Sequence, residues 1–354
     1  MIELLTEYGL FLAKTITIVV AILVILGGIA SASNARTRKE PHQGEVKVAH
    51  LNERYEDMEA TLKEVIFTKE QLKEEEKAEK KKEKEDKKEK KKGSKDDDEQ
   101  RKKRIYVIDF DGDVEASEVE PLGQTISAVL TLAEKQDEIV LRLESPGGQV
   151  HAYGLASSQL SRIREHEIPL TICVDKVAAS GGYMMACNGD KILAAPFAIL
   201  GSIGVVAELP NFNRVLRKYD VDYDIYTAGD YKRTVTMLGE NTEEGKRKFN
   251  EEIEETHVLF KNHVSQHRPQ LDLEKIATGE HWYGSQALDL GLIDEVKTSD
   301  EYIFSQRKDA EIFEVTFEFK RSMAEKLGLN LETLLERTLL KVWNKIGQRQ
   351  NTLS

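Results

Sequence analysis

Three short apolar runs that each lead to a glycine-rich turn constrain this chain more than any other feature. Residues 139–143 (IVLRL) run into Glu144-Ser145-Pro146-Gly147-Gly148, and residues 170–174 (LTICV) lead to Ala178-Ala179-Ser180-Gly181-Gly182-Tyr183. Residues 191–195 (KILAA) lead to Leu200-Gly201-Ser202-Ile203-Gly204-Val205. With residues 105–110 (IYVIDF) and 223–226 (YDIY) they read as short buried strands, separated in places by helical patterns at 125–135 and 154–165. This alternation predicts an α/β fold of parallel strands and crossover helices, whose chemistry collects where strands end and loops begin. Paired glycines let a backbone turn tightly and bring unpaired N–H groups close to a ligand. One such turn is only a turn; three of them around one serine outline a site.

Ser180 stands between a strand and a helix start, where the helix dipole favours a developing negative charge. It reads as a nucleophile whose oxyanion hole is the Gly181 amide with one from Gly147 or Gly148, or else as a plain N-cap serine. A nucleophilic serine needs a base. The histidines are His42, His50, His151, His166, His257, His263, His267 and His281; none follows a strand end in an evident catalytic setting, and His151, just after the first glycine pair, is a weak alternative base. The alternative is Lys232 in Thr227-Ala228-Gly229-Asp230-Tyr231-Lys232-Arg233. A lysine of ordinary pKa is uncharged only about 0.04% of the time at neutral pH, so a lysine base needs burial or a cationic neighbour such as Arg233. Without them Lys232 is an exposed loop residue. His263 and His267 have i,i+4 spacing but no glutamate follows His263, so the HExxH zinc motif is absent and no metal is expected. The two cysteines, Cys173 and Cys187, form neither a disulfide framework nor a CxxC pattern, and Cys187 reads as packing.

The N-terminal third is different in kind. Residues 15–35 carry no charge, and a helix over 8–29 is about 33 Å long, enough to cross a bilayer core. A single membrane anchor is expected; Ala30-Ser31-Ala32 also resembles a signal-peptide cleavage site. Arg36, Arg38 and Lys39 after the span put the following domain in the cytoplasm by charge bias. Val48, Leu51, Tyr55, Met58, Leu62 and Val65 then recur at heptad spacing, fit either to pair helices in an oligomer or to lie on their own domain. Residues 69–104 contain 17 Lys/Arg and 13 Asp/Glu, too polar to bury a core, and read as a charged helical or disordered neck. Outside that neck the formal charge of −12 becomes −16, since the neck itself contributes +4. So acidic a body excludes a nucleic-acid binder, and a mean hydropathy of −0.47 excludes a polytopic membrane protein. Residues 192–209, apolar but broken by Pro196 and glycines, read as core strand and loop.

The order SPGG, ASGGY, GSIGV and AGxYK, behind an apolar N-terminus, resembles the signal peptide peptidase A family of serine proteases. The resemblance covers residues 105–298 by motif and the N-terminal parts by layout. It implies a ClpP/crotonase-like fold and a Ser-Lys dyad without a cofactor. Position by position it makes Ser180 the nucleophile, Lys232 the general base and Ser202 the hydroxyl that orients the lysine. The oxyanion amides fall on Gly181 and the Gly147-Gly148 pair. Glu144 departs from the Asp or Asn that often precedes SPGG. The resemblance further implies unfolded or apolar peptide substrates such as signal-peptide remnants, and homo-oligomeric rings with active sites near subunit interfaces. It also implies attachment to the cell inner membrane, with the lipid bilayer as a partner and the catalytic domain in the periplasm, against the charge bias. The expected organisation is an anchor at 1–35, a neck at 36–104 and a peptidase domain at 105–298. A C-terminal segment at 299–354, with a strand at 312–319 and an amphipathic run at 327–346, caps the domain or joins a neighbour. Two other functions share parts of the pattern: a crotonase-like enzyme acting on acyl-CoA, and a non-catalytic membrane scaffold.

Overall fold

The central strands are apolar almost without interruption because both of their faces are covered. The computed structural model describes Leu12, residues 14–17, residues 44–74, Lys77 and residues 101–319. Residues 46–317 make up one unit; the other, 1–45 with 318–354, is described only at 12, 14–17, 44–45 and 318–319. In chain order the elements are β1 (Gly44–His50), α1 (Leu51–Ile66), β2 (Lys103–Asp111), α2 (Val119–Leu130), β3 (Glu138–Glu144), α3 (Val150–Glu165), β4 (Leu170–Val174), β5 (Val177–Ala179) and α4 (Gly181–Ala186). There follow β6 (Lys191–Ala194), β7 (Ile199–Gly201), α5 (Asn213–Lys218), α6 (Glu243–His267), α7 (Leu273–Ile276), β8 (His281–Tyr283), α8 (Gly284–Asp289), β9 (Glu295–Val296), α9 (Ser299–Gln306) and β10 (Ala310–Phe319).

Seven strands form one sheet in the order β1-β10-β2-β3-β4-β6-β9, and from β10 to β9 every neighbouring pair is parallel. Side chains alternate across it with the period of two that a strand imposes. Tyr106, Ile108, Phe110, Ile139, Leu141, Ile172 and Val174 join the larger core, where residues of α2, α3 and α4 pack. Ile105, Val107, Val140 and Cys173 join the smaller one, with Leu51, Tyr302 and Ile303. Each fully buried Leu or Ile contributes about 1.5–3 kcal/mol, so this two-sided burial is what holds the strand ends in place. A second sheet, β5-β7-β8, pairs β5 with β7 in parallel and β7 with β8 antiparallel. An isolated parallel bridge between Ser145 and Ala178 brings the end of β3 against it.

Several expectations are corrected. Among the described residues no helix is long and apolar enough to cross a membrane. The longest, α6, has 25 residues but carries ten charged side chains. Of the expected span only Leu12 and residues 14–17 are described, all exposed and Lys14 among them; the rest lies outside the described residues. The anchor, the inner-membrane location, the periplasmic placement and the bilayer as partner are therefore withdrawn. Residues 223–226 form no strand: no neighbour pairs with them, and Tyr226 is 91% exposed. The heptad pattern is split, since Val48 lies in β1 and the helix begins at Leu51. Leu51 is buried, whereas Met58, Leu62 and Val65 are bare. Asn52 fastens α1 to the body: its Nδ2 donates to Arg307 O and Ala310 O at 2.8 and 3.0 Å, and its Oδ1 accepts from Ile312 N–H at 2.8 Å. The amphipathic run at 327–346 and most of the charged neck lie outside the described residues.

Candidate active site

Two serines end two neighbouring parallel strands at the same level. Ala179 of β5 is in register with Gly201 of β7, so Ser180 and Ser202 follow side by side, about one strand spacing of 4.8 Å apart along the backbone. Both have φ of 51°, a left-handed conformation that costs a serine about 1–3 kcal/mol. Ser180 is held there by its N–H, which donates to Gly201 O at 2.8 Å, and by the start of α4 one residue on. Ser202 is held by its N–H, which donates to Glu280 O at 2.6 Å. The Ser180 side chain makes no capping hydrogen bond to α4, so the reading of Ser180 as a plain N-cap fails. Ser180 is one of the residues that line a small cleft of about 20 Å³.

The first glycine pair closes over this serine. Ser145 N–H donates to Val177 O and Ser145 O accepts from Ala179 N–H, so the loop leaves β3 tied to β5. Gly147 has φ of 89°, and a Cβ there would stand 2.7 Å from Gly181 N and 2.8 Å from Ser180 Cβ. A Cβ on Gly148 would stand 2.1 Å from Val114 O. No side chain fits at either position. The two amides then part ways: Gly147 N–H donates to Ser145 Oγ at 3.1 Å. Gly148 N–H and Gly181 N–H have no protein acceptor among the described residues, and both residues line the cleft with Ser180.

A buried hydrogen-bond chain holds the loop from below. Ser145 Oγ, which accepts from Gly147 N–H, lies 2.5 Å from Tyr153 Oη, and Tyr153 Oη donates to Asp113 O at 2.7 Å. With the tyrosine proton committed to Asp113 O, Ser145 is the donor between the two hydroxyls. Both side chains are wholly buried, and burial raises the Tyr153 pKa, keeping the phenol protonated. The Tyr153 ring also lies where a Gly181 side chain would be, 2.4 Å from its ideal Cβ. Sequence reasoning missed this pair; the serine of SPGG and a tyrosine eight residues on were the available signal.

The other expected residues are not brought to the cleft. Its walls are Gly148, Val150, Ser180, Gly181, Met184, Gly204, Val205, Thr256 and Phe260, with no titratable side chain among them. Lys232 is exposed in a turn, its N–H donating to Gly229 O at 3.2 Å. His151 is exposed near the start of α3. His257 Nε2 lies 3.2 Å from Ile203 O, and His263 Nε2 lies 3.1 Å from Met184 O. Glu144, the departure in the SPGG motif, pairs with Lys176 at 2.7 Å on the surface and leaves the glycine amides untouched.

The family model for peptidase family S49 N-terminal matches residues 3–160, and that for peptidase family S49 matches residues 162–312. A probable protease SohB of Haemophilus influenzae is 50% identical over 93% of this chain and 94% of its own length. Its counterpart from Buchnera aphidicola of Acyrthosiphon pisum is 46% identical over 96% of this chain and 98% of its own. Among solved structures, the 1510-N membrane-bound stomatin-specific protease with a substrate peptide has a TM-score of 0.39 at 14% identity, over 64% of this chain and 96% of its own. That score carries no argument about the fold. The ClpP/crotonase-like assignment is accordingly replaced by the observed one, α/β with a seven-stranded and a three-stranded sheet.

Proposed function

The chain belongs to peptidase family S49 and is a serine-type endopeptidase, and from that premise we propose Ser180 as its nucleophile, Lys232 as its general base, and the Gly148 and Gly181 amides as its oxyanion hole. The observation that carries this reading is the strained Ser180, its hydroxyl not used by the helix, in one cleft with two glycine amides that have no protein acceptor among the described residues. Ser180 Oγ attacks the scissile carbonyl carbon while its proton passes to an uncharged Lys232 amine. The carbonyl oxygen, now negative, is met by the two N–H groups, which stabilise charge that exists only along the reaction path. Collapse expels the amine product with the proton from Lys232. Water, deprotonated in turn by Lys232, then hydrolyses the acyl-serine. Ser202, beside Ser180 at the neighbouring strand end, orients the lysine. Membership of a peptidase family displaces the acyl-CoA and scaffold readings.

The cleft also speaks to substrate. Val150, Met184, Val205 and Phe260 give it an apolar lining, and its small volume suits a short apolar side chain beside the scissile bond. An extended, unfolded peptide supplies such a side chain without disturbing the enzyme.

Ser180→Ala and Lys232→Ala each lower kcat/KM for an unstructured peptide by at least about 10³-fold. Near-normal turnover by Lys232→Ala moves the base assignment to His151. The pH profile climbs from neutral into the alkaline range; a single inflection near the histidine value of about 6.5 argues against lysine. Because Lys232 is absent from the cleft wall, the base reaches Ser180 either by movement of its own segment or from a second copy. Mixing the two inactive variants separates these routes: recovered activity places the dyad across copies, and no recovery in a proven mixed assembly places it within one.

A further inference from the structure

We propose that Cys187, His263 and His267 form a binding site for a thiophilic divalent cation of the zinc class. One ligand atom from each lies within 4.8 Å of the others. A tetrahedral ion at about 2.0–2.3 Å from its ligands holds them roughly 3.3–3.8 Å apart, so modest rotation of the two rings closes the set. The histidines share one face of α6 by their i,i+4 spacing. The sulfur comes from the residue that ends α4, which is why a search for HExxH or CxxC passes over the group.

The hydrogen bonds present the ring nitrogens as metal ligands. A carbonyl oxygen only accepts, so His263 Nε2, 3.1 Å from Met184 O, carries a proton, and so does His267 Nδ1, 2.9 Å from His263 O. In the neutral form of each ring the lone pair then lies on the other nitrogen, Nδ1 of His263 and Nε2 of His267. Fixing one ring nitrogen on a backbone carbonyl to free the other is how proteins orient metal-binding histidines. Ser157 Oγ, 3.0 Å from His263 Nε2 and 2.8 Å from Asn188 Nδ2, braces the same ring.

Both imidazoles are part-exposed and give an ion its path in, while Cys187 is a free thiol at the buried end. Binding forms the sulfur–metal bond, breaks the S–H bond and releases that proton to solvent. Two guanidinium groups lie in the neighbourhood, and each has a carboxylate partner: Arg268 with Asp294 at 2.8 Å and Arg164 with Asp190 at 3.7 Å. The ion joins α4 to α6. Met184 of α4 and Phe260 of α6 both line the Ser180 cleft, so occupancy bears on the wall of that cleft. The binding site itself does not depend on which groups form the dyad.

The test is a titration of the full-length chain with Co²⁺, followed by displacement with Zn²⁺. One Co²⁺ per chain is expected, with the sulfur-to-cobalt charge-transfer absorption of a thiolate ligand, and Zn²⁺ should raise the melting temperature. Cys187→Ala should lose the charge-transfer band. His267→Gln, at a part-exposed position, should keep the metal-free melting temperature and weaken Co²⁺ binding at least about 10-fold. Failure of the folded wild-type chain to take up Co²⁺ overturns the proposal. So does uptake without the sulfur band, or a His267→Gln chain that binds as tightly as wild type; that last reading decides the matter if Cys187→Ala does not fold.

Discussion

The turn that carries Ser180 and the segment that carries Lys232 are built in opposite ways. Around Ser180 the backbone is tied to neighbouring strands, from Ser145 to Val177 and Ala179 and from Ser180 to Gly201, and Ser145 and Tyr153 beside it are wholly buried. Residues 205–242 instead hold themselves together through a few polar groups. Asn211 Nδ2 donates to Thr236 O and Gly239 O at 2.8 and 3.0 Å, and Asn213 Nδ2 to Leu238 O at 3.0 Å. Val206, Phe212, Val215, Tyr219, Tyr223 and Tyr226 stand in solvent along it. A nucleophile and its oxyanion amides must be held to within fractions of an ångström, whereas a base can be delivered. The contrast teaches that the backbone part of the proposed machinery is preformed around Ser180, whereas Lys232, its proposed base, lies exposed and off the cleft wall.

The largest effects should separate the regions by what they leave intact. Ser180→Gly and Lys232→Ala both lose at least about 10³-fold in kcat/KM, but only the glycine relieves a left-handed φ and raises stability, by about 1 kcal/mol. Lys232→Ala should stay within about 0.5 kcal/mol of wild type in urea unfolding. A Lys232→Ala chain that is markedly destabilised breaks the comparison. Next, Gly148→Ala must push its loop off Val114 O and so misplace the amide proposed as an oxyanion donor. It should cost about 10²-fold in kcat and lower the melting temperature; full activity removes Gly148 from the oxyanion hole.

Tyr153→Phe probes the scaffold one layer further in. It leaves the Ser145 hydroxyl and Asp113 O without their buried partner, a loss of about 1–3 kcal/mol. With the loop loosened, kcat should fall about tenfold while KM changes little, which steady-state kinetics beside denaturant melts will show. An equal loss in KM would mean that the loop binds substrate rather than the oxyanion. Smallest of all, Tyr226→Ser removes a ring that is 91% exposed and should shift the unfolding free energy by less than about 0.5 kcal/mol. A larger loss would show that this segment is covered in solution.

Much of the frame was legible beforehand. The runs at 105–110, 139–143, 170–174 and 191–195 became β2, β3, β4 and β6 within a few residues, because strands buried on both faces are continuously apolar and end at turn residues. The run at 223–226 has similar composition and is no strand, since an apolar tetrapeptide becomes one only where a partner edge is free. The heptad pattern holds from Leu51 to Val65, which share one helix, but spacing does not reveal that Val48 belongs to an extended strand that joins the sheet.

Glycine pairs are local signals, so the residues that crowd Ser180 could be named from the chain alone: a missing side chain matters wherever backbone approaches backbone, and the motif records that need directly. Peptidase family membership was likewise written in the order of those motifs. What required the folded chain were the relations between distant segments. Tertiary packing brought Gly148 and Gly181 to one cleft beside Ser180, with no protein acceptor for either amide among the described residues. It ran a hydroxyl chain through Tyr153, kept Lys232 off the cleft wall and set Cys187 beside His263 and His267. A hydrogen bond or a ligand set forms between atoms a few ångströms apart, and along the sequence nothing measures that distance.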